Sequence, residues 1–103
     1  MADGFITVGA SDDVAPGTAA RVVAGGEEIA IFNVDGQFFA TSDVCSHDEA
    51  SLSEGELFGH VIECPLHGAR FDVRTGKALS LPAVYPVRSF EVRVVDGQLQ
   101  VKV

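Results

Sequence analysis

The sequence predicts an all-β chain folded as a small antiparallel sandwich or barrel. Three observations carry this prediction. Apolar and polar residues alternate with a period of two in "SFEVRVV" and "QLQVKV", which marks strands with one buried and one wet face. Two Asp-Gly pairs, Asp35-Gly36 and Asp96-Gly97, interrupt such runs where a tight hairpin turn needs positive φ. No amphipathic stretch is long enough for a helix of several turns.

In chain order, "FITVG" reads as a first strand. "SDDVAPGT" reads as one short helical turn capped by Ser11 and stopped by Pro16 and Gly17. "ARVVA" is a second strand, and "IAIFNVDGQFFATS" is a hairpin turning at Asp35-Gly36. Residues 43–59, "DVCSHDEASLSEGELFG", form the longest stretch without a strand pattern, and long loops in compact domains are usually functional. "HVIEC" and "ARFDV" are short strands on either side of a loop at residues 64–69, and "RTGK" is a turn. The C-terminal hairpin places Phe90, Val92, Val94, Leu99, Val101 and Val103 on one face.

The 103 residues suit a single domain spanning 1–103, and an apolar content of 47% is enough for a core. Fifteen Asp and Glu oppose seven Lys and Arg, giving a formal charge of −8. That balance lacks the basic footprint of a nucleic-acid binder. It suits a chain that keeps itself soluble or meets basic partners. No run reaches the length of a membrane span, and "MADGFITVGA" has neither the basic nor the apolar region of a signal peptide. The expectation is a cytoplasmic monomer with reduced thiols.

Both cysteines and two of the three histidines fall in two short loops, about residues 43–48 and 64–69. Cys45 and His47 are separated by one residue, Cys64 and His67 by two, and sixteen residues lie between the pairs. Pro65 and Gly68 shape the second loop as a turn. Three chemistries compete. A structural zinc ion takes two Cys and two His ligands, although such sites usually pair like with like in each knuckle. A Cys/His nucleophile needs only one pair. An iron–sulfur cluster can take two Cys on one iron and two His on the other.

"C-S-H", the sixteen-residue gap and "C-P-L-H-G" resemble the cluster-binding motif of Rieske proteins. Length and β pattern are similar to the Rieske ferredoxins of bacterial aromatic-ring-hydroxylating dioxygenase systems. The resemblance implies a Rieske-type fold with a cluster-binding subdomain formed by the two Cys/His loops. It implies one [2Fe–2S] cluster with Cys45 and Cys64 on one iron and His47 and His67 on the other. A third, proline-containing loop of the family matches "SLPAV", with Pro82 beside the cluster. The two histidines would turn their free N–H groups outward at an exposed tip. With neutral histidines such a cluster is neutral when oxidised and singly negative when reduced, which raises its potential above that of an all-cysteine cluster.

By the same resemblance the chain is an electron carrier and not itself an enzyme. Its partners would be a flavoprotein ferredoxin reductase and a terminal oxygenase acting on an aromatic substrate. The alternatives are a small Rieske subunit of another reductase, such as nitrite reductase, and a zinc-stabilised β-domain acting as a binding module. Respiratory Rieske proteins carry an extra disulfide and hydroxyl donors near the cluster. Here those positions hold Ala50 and Leu66, and Ala69 and Phe71, which resembles the low-potential branch. His60 is expected to be an ordinary packing or surface residue, and Phe38, Phe39 and Phe71 to be core. Leu66 either shields the cluster or covers its loop. Asp48, Glu49, Glu54 and Glu56 either steer a partner or form a solvated face.

Overall fold

The computed structural model describes residues 4–45, 50–65, 68–81 and 85–103. Among these the architecture is antiparallel β in two sheets. Strands β1 (Phe5–Ala10), β2 (Ala19–Ala24), β3 (Glu27–Val34), β4 (Gln37–Ser42), β8 (Ser89–Val95) and β9 (Gln98–Lys102) form a six-stranded sheet in the order β1-β9-β8-β4-β3-β2. Strands β5 (Glu56–Phe58), β6 (Val61–Glu63) and β7 (Arg70–Asp72) form a second sheet in that order. The large sheet curls until its ends meet. A Cβ added to Gly25, in the β2–β3 turn, would lie 2.8 Å from the Val103 side chain beyond β9 and 3.7 Å from Ile6 in β1.

Local chemistry sets the hairpins. Asp35 and Gly36 have φ of 51° and 90°, and Asp96 and Gly97 have 51° and 74°. Two consecutive residues at positive φ make the turn whose twist matches the flanking strands. Register follows, with Val34 opposite Gln37 and Val95 opposite Gln98. A third turn of this kind, Gly25-Gly26 with φ of 57° and 80°, joins β2 to β3, and the Gly-Gly dipeptide was its sequence signal.

Three expectations are corrected in detail. Residues 43–59 are not all loop: Leu52–Glu54 form a short 3-10 turn and Glu56–Phe58 form β5, a strand too short to show alternation. The helical turn is Ser11–Asp13, so Ser11 lies inside it rather than capping it. Its hydroxyl donates to the Gly97 carbonyl, and the Asp13 carboxylate accepts from the Ala10 N–H. In the C-terminal hairpin Phe90, Leu99 and Val101 are buried, but Val94 and Val103 are exposed. Strand β8 pairs with β4 only at Phe90 and Ser89, so its outer half has a neighbour on one side alone.

Strand β3 is buried on both faces and divides two cores. Ile29 and Ile31 face the inside of the curled sheet with Val14, Ala40, Phe90, Leu99 and Val101. Ala30, Phe32 and Val34 face the other way, into a core shared with Leu52, Ile62, Phe71, Cys45 and Cys64. The period of two thus sends alternate β3 side chains into different cores, and the second of these carries the cysteine loops.

Candidate metal centre

The two cysteine loops are built alike. In the first, Val44 bridges Ser51, and the Cys45 N–H donates to the Ala50 carbonyl at 3.0 Å. In the second, Glu63 pairs with Arg70, and the Cys64 N–H donates to the Ala69 carbonyl at 2.7 Å. In each loop the cysteine N–H therefore bonds the carbonyl of the residue five positions on, and one histidine lies between the two in sequence. The second is tightened by Gly68, whose N–H returns to the Cys64 carbonyl and whose φ is 73°. As the sequence predicted, the β6–β7 hairpin carries this loop at its end.

Both cysteines are buried, Cys45 to 3% exposure and Cys64 to 2%, and neither is in a disulfide. They belong to one apolar core with Leu52, Ile62, Ala69 and Phe71. Loop closeness is enforced at Gly55, where a Cβ would fall 1.9 Å from the carbonyl oxygen of Glu63, the residue before Cys64. The first loop is further tied by Asp43, whose carboxylate accepts from the Ser51 hydroxyl and the Ser53 N–H. Asp43, Ser51 and Gly55 escaped the sequence reading, although small polar residues next to a turn are the usual signal for such ties.

The predicted ligands His47 and His67 lie outside the described residues, as do Leu66, Pro82, Asp48 and Glu49. The described part of the donor set fits an iron–sulfur group. Two buried thiols share one apolar core that excludes water, and Ala69 and Phe71, both fully buried, add no side-chain donor. Glu54 and Glu56 are exposed. His60 packs its ring edge-on against Phe39 at 5.6 Å, and its carbonyl accepts from the Val73 N–H, so it is a packing residue. Phe71 is core, whereas Phe38 and Phe39 are partly buried against the two cores. Next to the β7 end, the Arg74 guanidinium grips the Asp72 carboxylate at 2.9 and 3.0 Å. That hydrogen bond holds the Asp72 carboxyl below the ordinary range, against a smaller opposing effect of burial.

The Rieske [2Fe-2S] domain model matches residues 4–91. The chain belongs to the Rieske [2Fe–2S] family. The p-cumate 2,3-dioxygenase system ferredoxin component of Pseudomonas putida is 52% identical over 96 residues, 91% of this chain and 81% of that protein. The biphenyl 2,3-dioxygenase ferredoxin component of Rhodococcus jostii strain RHA1 is 54% identical, covering 82% of this chain and 78% of that one. Among solved structures, the complex of reduced oxygenase and oxidised ferredoxin in carbazole 1,9a-dioxygenase contains a chain with TM-score 0.91 and 45% identity, covering 98% of this chain and 94% of that one. Membership in the Rieske family gives the chain a [2Fe–2S] cluster and sets aside the zinc module.

Proposed function

We propose that this Rieske chain, a single domain of residues 1–103, is the ferredoxin of an aromatic-ring dioxygenase system. It takes single electrons from a flavoprotein reductase and delivers them to a terminal oxygenase, and it transforms no substrate itself. The observation that carries the reading is the pair of matched loops holding Cys45 and Cys64 in one apolar core. The names of the relatives support the dioxygenase assignment over a nitrite reductase subunit. No helix among the described residues is long and apolar enough to cross a membrane. On this reading the working place is the cytoplasm, where thiols such as Cys45 and Cys64 stay reduced.

When bound, the cluster supplies a site for one electron. Cys45 and Cys64 would hold one iron as thiolates, and His47 and His67 would hold the other. The loops orient the two sulfurs through the backbone bonds to Ala50 and Ala69. Leu52, Ile62 and Phe71 exclude water on the core side, which keeps the charge of the thiolates from being screened there.

Iron and acid-labile sulfide analysis tests the assignment. Two irons and two sulfides per chain are expected. Cys45→Ser or Cys64→Ser should abolish assembly, and loss of His47 or His67 should nearly do so. Stoichiometric zinc without sulfide would overturn the reading.

A further inference from the structure

Asp43 is a charged side chain in the protein interior that the electron-carrier reading leaves unused. It is 2% exposed and stands two residues before Cys45. We propose that the Asp43 carboxylate is a positioning residue of the first cysteine loop whose buried negative charge also lowers the reduction potential of the centre that the loop holds. This rests on Cys45 being a ligand.

The positioning half follows from the contacts. The Asp43 Oδ2 accepts from the Ser51 hydroxyl at 2.5 Å, and its Oδ1 accepts from the Ser53 N–H at 2.8 Å. The Asp43 N–H donates to the Glu28 carbonyl on β3, and the Asp43 carbonyl accepts from the Leu52 N–H. One residue therefore fastens both ends of the turn from Cys45 to Ala50, and anchors it to the strand that divides the cores.

The electrostatic half follows from what those contacts do not require. Neither contact needs a charge: an Asn Oδ1 would accept from the Ser53 N–H, and its amide NH2 would donate to the Ser51 oxygen once that hydroxyl turned. A buried carboxylate carries a large desolvation penalty unless it is paired. Its cation is a weak match: Arg21 Nε lies 3.6 Å away, is half exposed, and bonds more closely to Glu28, at 2.5 and 3.2 Å. The charge of Asp43 is thus only partly neutralised. It sits in an interior of low effective dielectric, where a charge is felt more strongly than in water. Reduction adds one negative charge to the centre, and a fixed negative charge nearby disfavours that addition.

The test is protein-film voltammetry and electron paramagnetic resonance on cluster-loaded full-length chains: native, Asp43→Asn, Arg21→Gln and Ser51→Ala. Asp43→Asn should keep the visible iron–sulfur band and favour reduction several-fold. A tenfold change reads as about 59 mV for one electron. Arg21→Gln removes the partial counter-charge and should move the potential down. Ser51→Ala keeps the charge but cuts a tie, so it should speed loss of the visible band on warming without raising the potential. An unchanged or lowered potential in Asp43→Asn would overturn the electrostatic role. If Asp43→Asn fails to assemble, Arg21→Gln decides: a downward shift supports the proposal, and no shift or an upward one overturns it. A native protein lacking the [2Fe–2S] signal would instead sink the function proposed above, so the two failures are separable.

Discussion

Ala69 and Phe71 are two side chains whose absent chemistry matters. Both are fully buried beside the second cysteine loop, Ala69 closing it through its carbonyl and Phe71 pairing with Ile62 in β6. A hydrogen bond to a cluster sulfur or ligand thiolate stabilises the reduced state and raises the potential. Neither residue can donate one from its side chain. The native potential is therefore expected near the low end of the Rieske range, about −150 mV. Ala69→Ser and Phe71→Tyr should each shift it upward, and voltammetry on the three proteins checks this. A clearly positive native potential would contradict the argument. These shifts should add to that of Asp43→Asn only if the two loops act independently, because neighbouring sites couple.

At the scale of elements, glycines separate backbone strain from close approach. Gly36 has φ of 90° with open space where a Cβ would stand, so Gly36→Ala costs only the strain of the left-handed conformation, about 1–2 kcal/mol. Gly55 has ordinary extended φ, yet its Cβ would collide with the Glu63 carbonyl at 1.9 Å. Gly55→Ala should cost about 2 kcal/mol or more and should also weaken cluster retention, because it forces the first loop away from the strand leading to Cys64. Denaturant midpoints and the visible band on warming would show both effects in Gly55→Ala and only the first in Gly36→Ala. The Asp72–Arg74 pair closing the β7 turn has its own pH signature. Folding lowers the Asp72 pKa, so its contribution is fully present above the unfolded value of about 3.9 and is lost as pH falls through the lower folded value. Arg74→Gln should be less stable than native at neutral pH and no less stable once both proteins are protonated at Asp72. A gap that widened in acid would refute the assignment.

Across the whole molecule the relevant quantity is charge. The net −8 favours encounter with a basic partner surface. Such steering weakens as the Debye length falls from about 10 Å at 0.1 M to about 3 Å at 1 M. The second-order rate of reduction by the reductase should therefore fall with added salt in stopped-flow measurements. A rate indifferent to ionic strength would remove the case for steering. Reversal at Asp48 or Glu49, next to His47 in sequence, is expected to slow the reaction more than reversal at Glu27 or Glu28. The structure adds a condition to that comparison. Glu28 pairs with Arg21 and Glu27 with Arg88, so reversing either also breaks an ion pair, and their stability has to be matched first. Docking itself should be small and transient, as redox encounters usually are.

The sequence alone determined the all-β class, two of the hairpin turns and the two cysteine loops. These are local matters: period-two alternation, positive φ at Asp-Gly, and ligand residue types packed within a few positions leave their mark on neighbouring letters. The Gly25-Gly26 turn was equally legible, but three-residue β5 was not, being shorter than two full cycles of alternation. What tertiary structure alone decided is non-local. Ile31 and Phe32 are neighbours in sequence, yet they enter different cores because β3 is covered on both faces. Gly55 meets Glu63 only once β5 pairs with β6. Asp43 reads as one more acid in an acidic chain until folding buries it against Ser51 and Ser53. No periodicity encodes that burial: it arises because the strand that ends at Ser42 hands the chain directly into the first cysteine loop, where the Leu52 N–H bonds the Asp43 carbonyl.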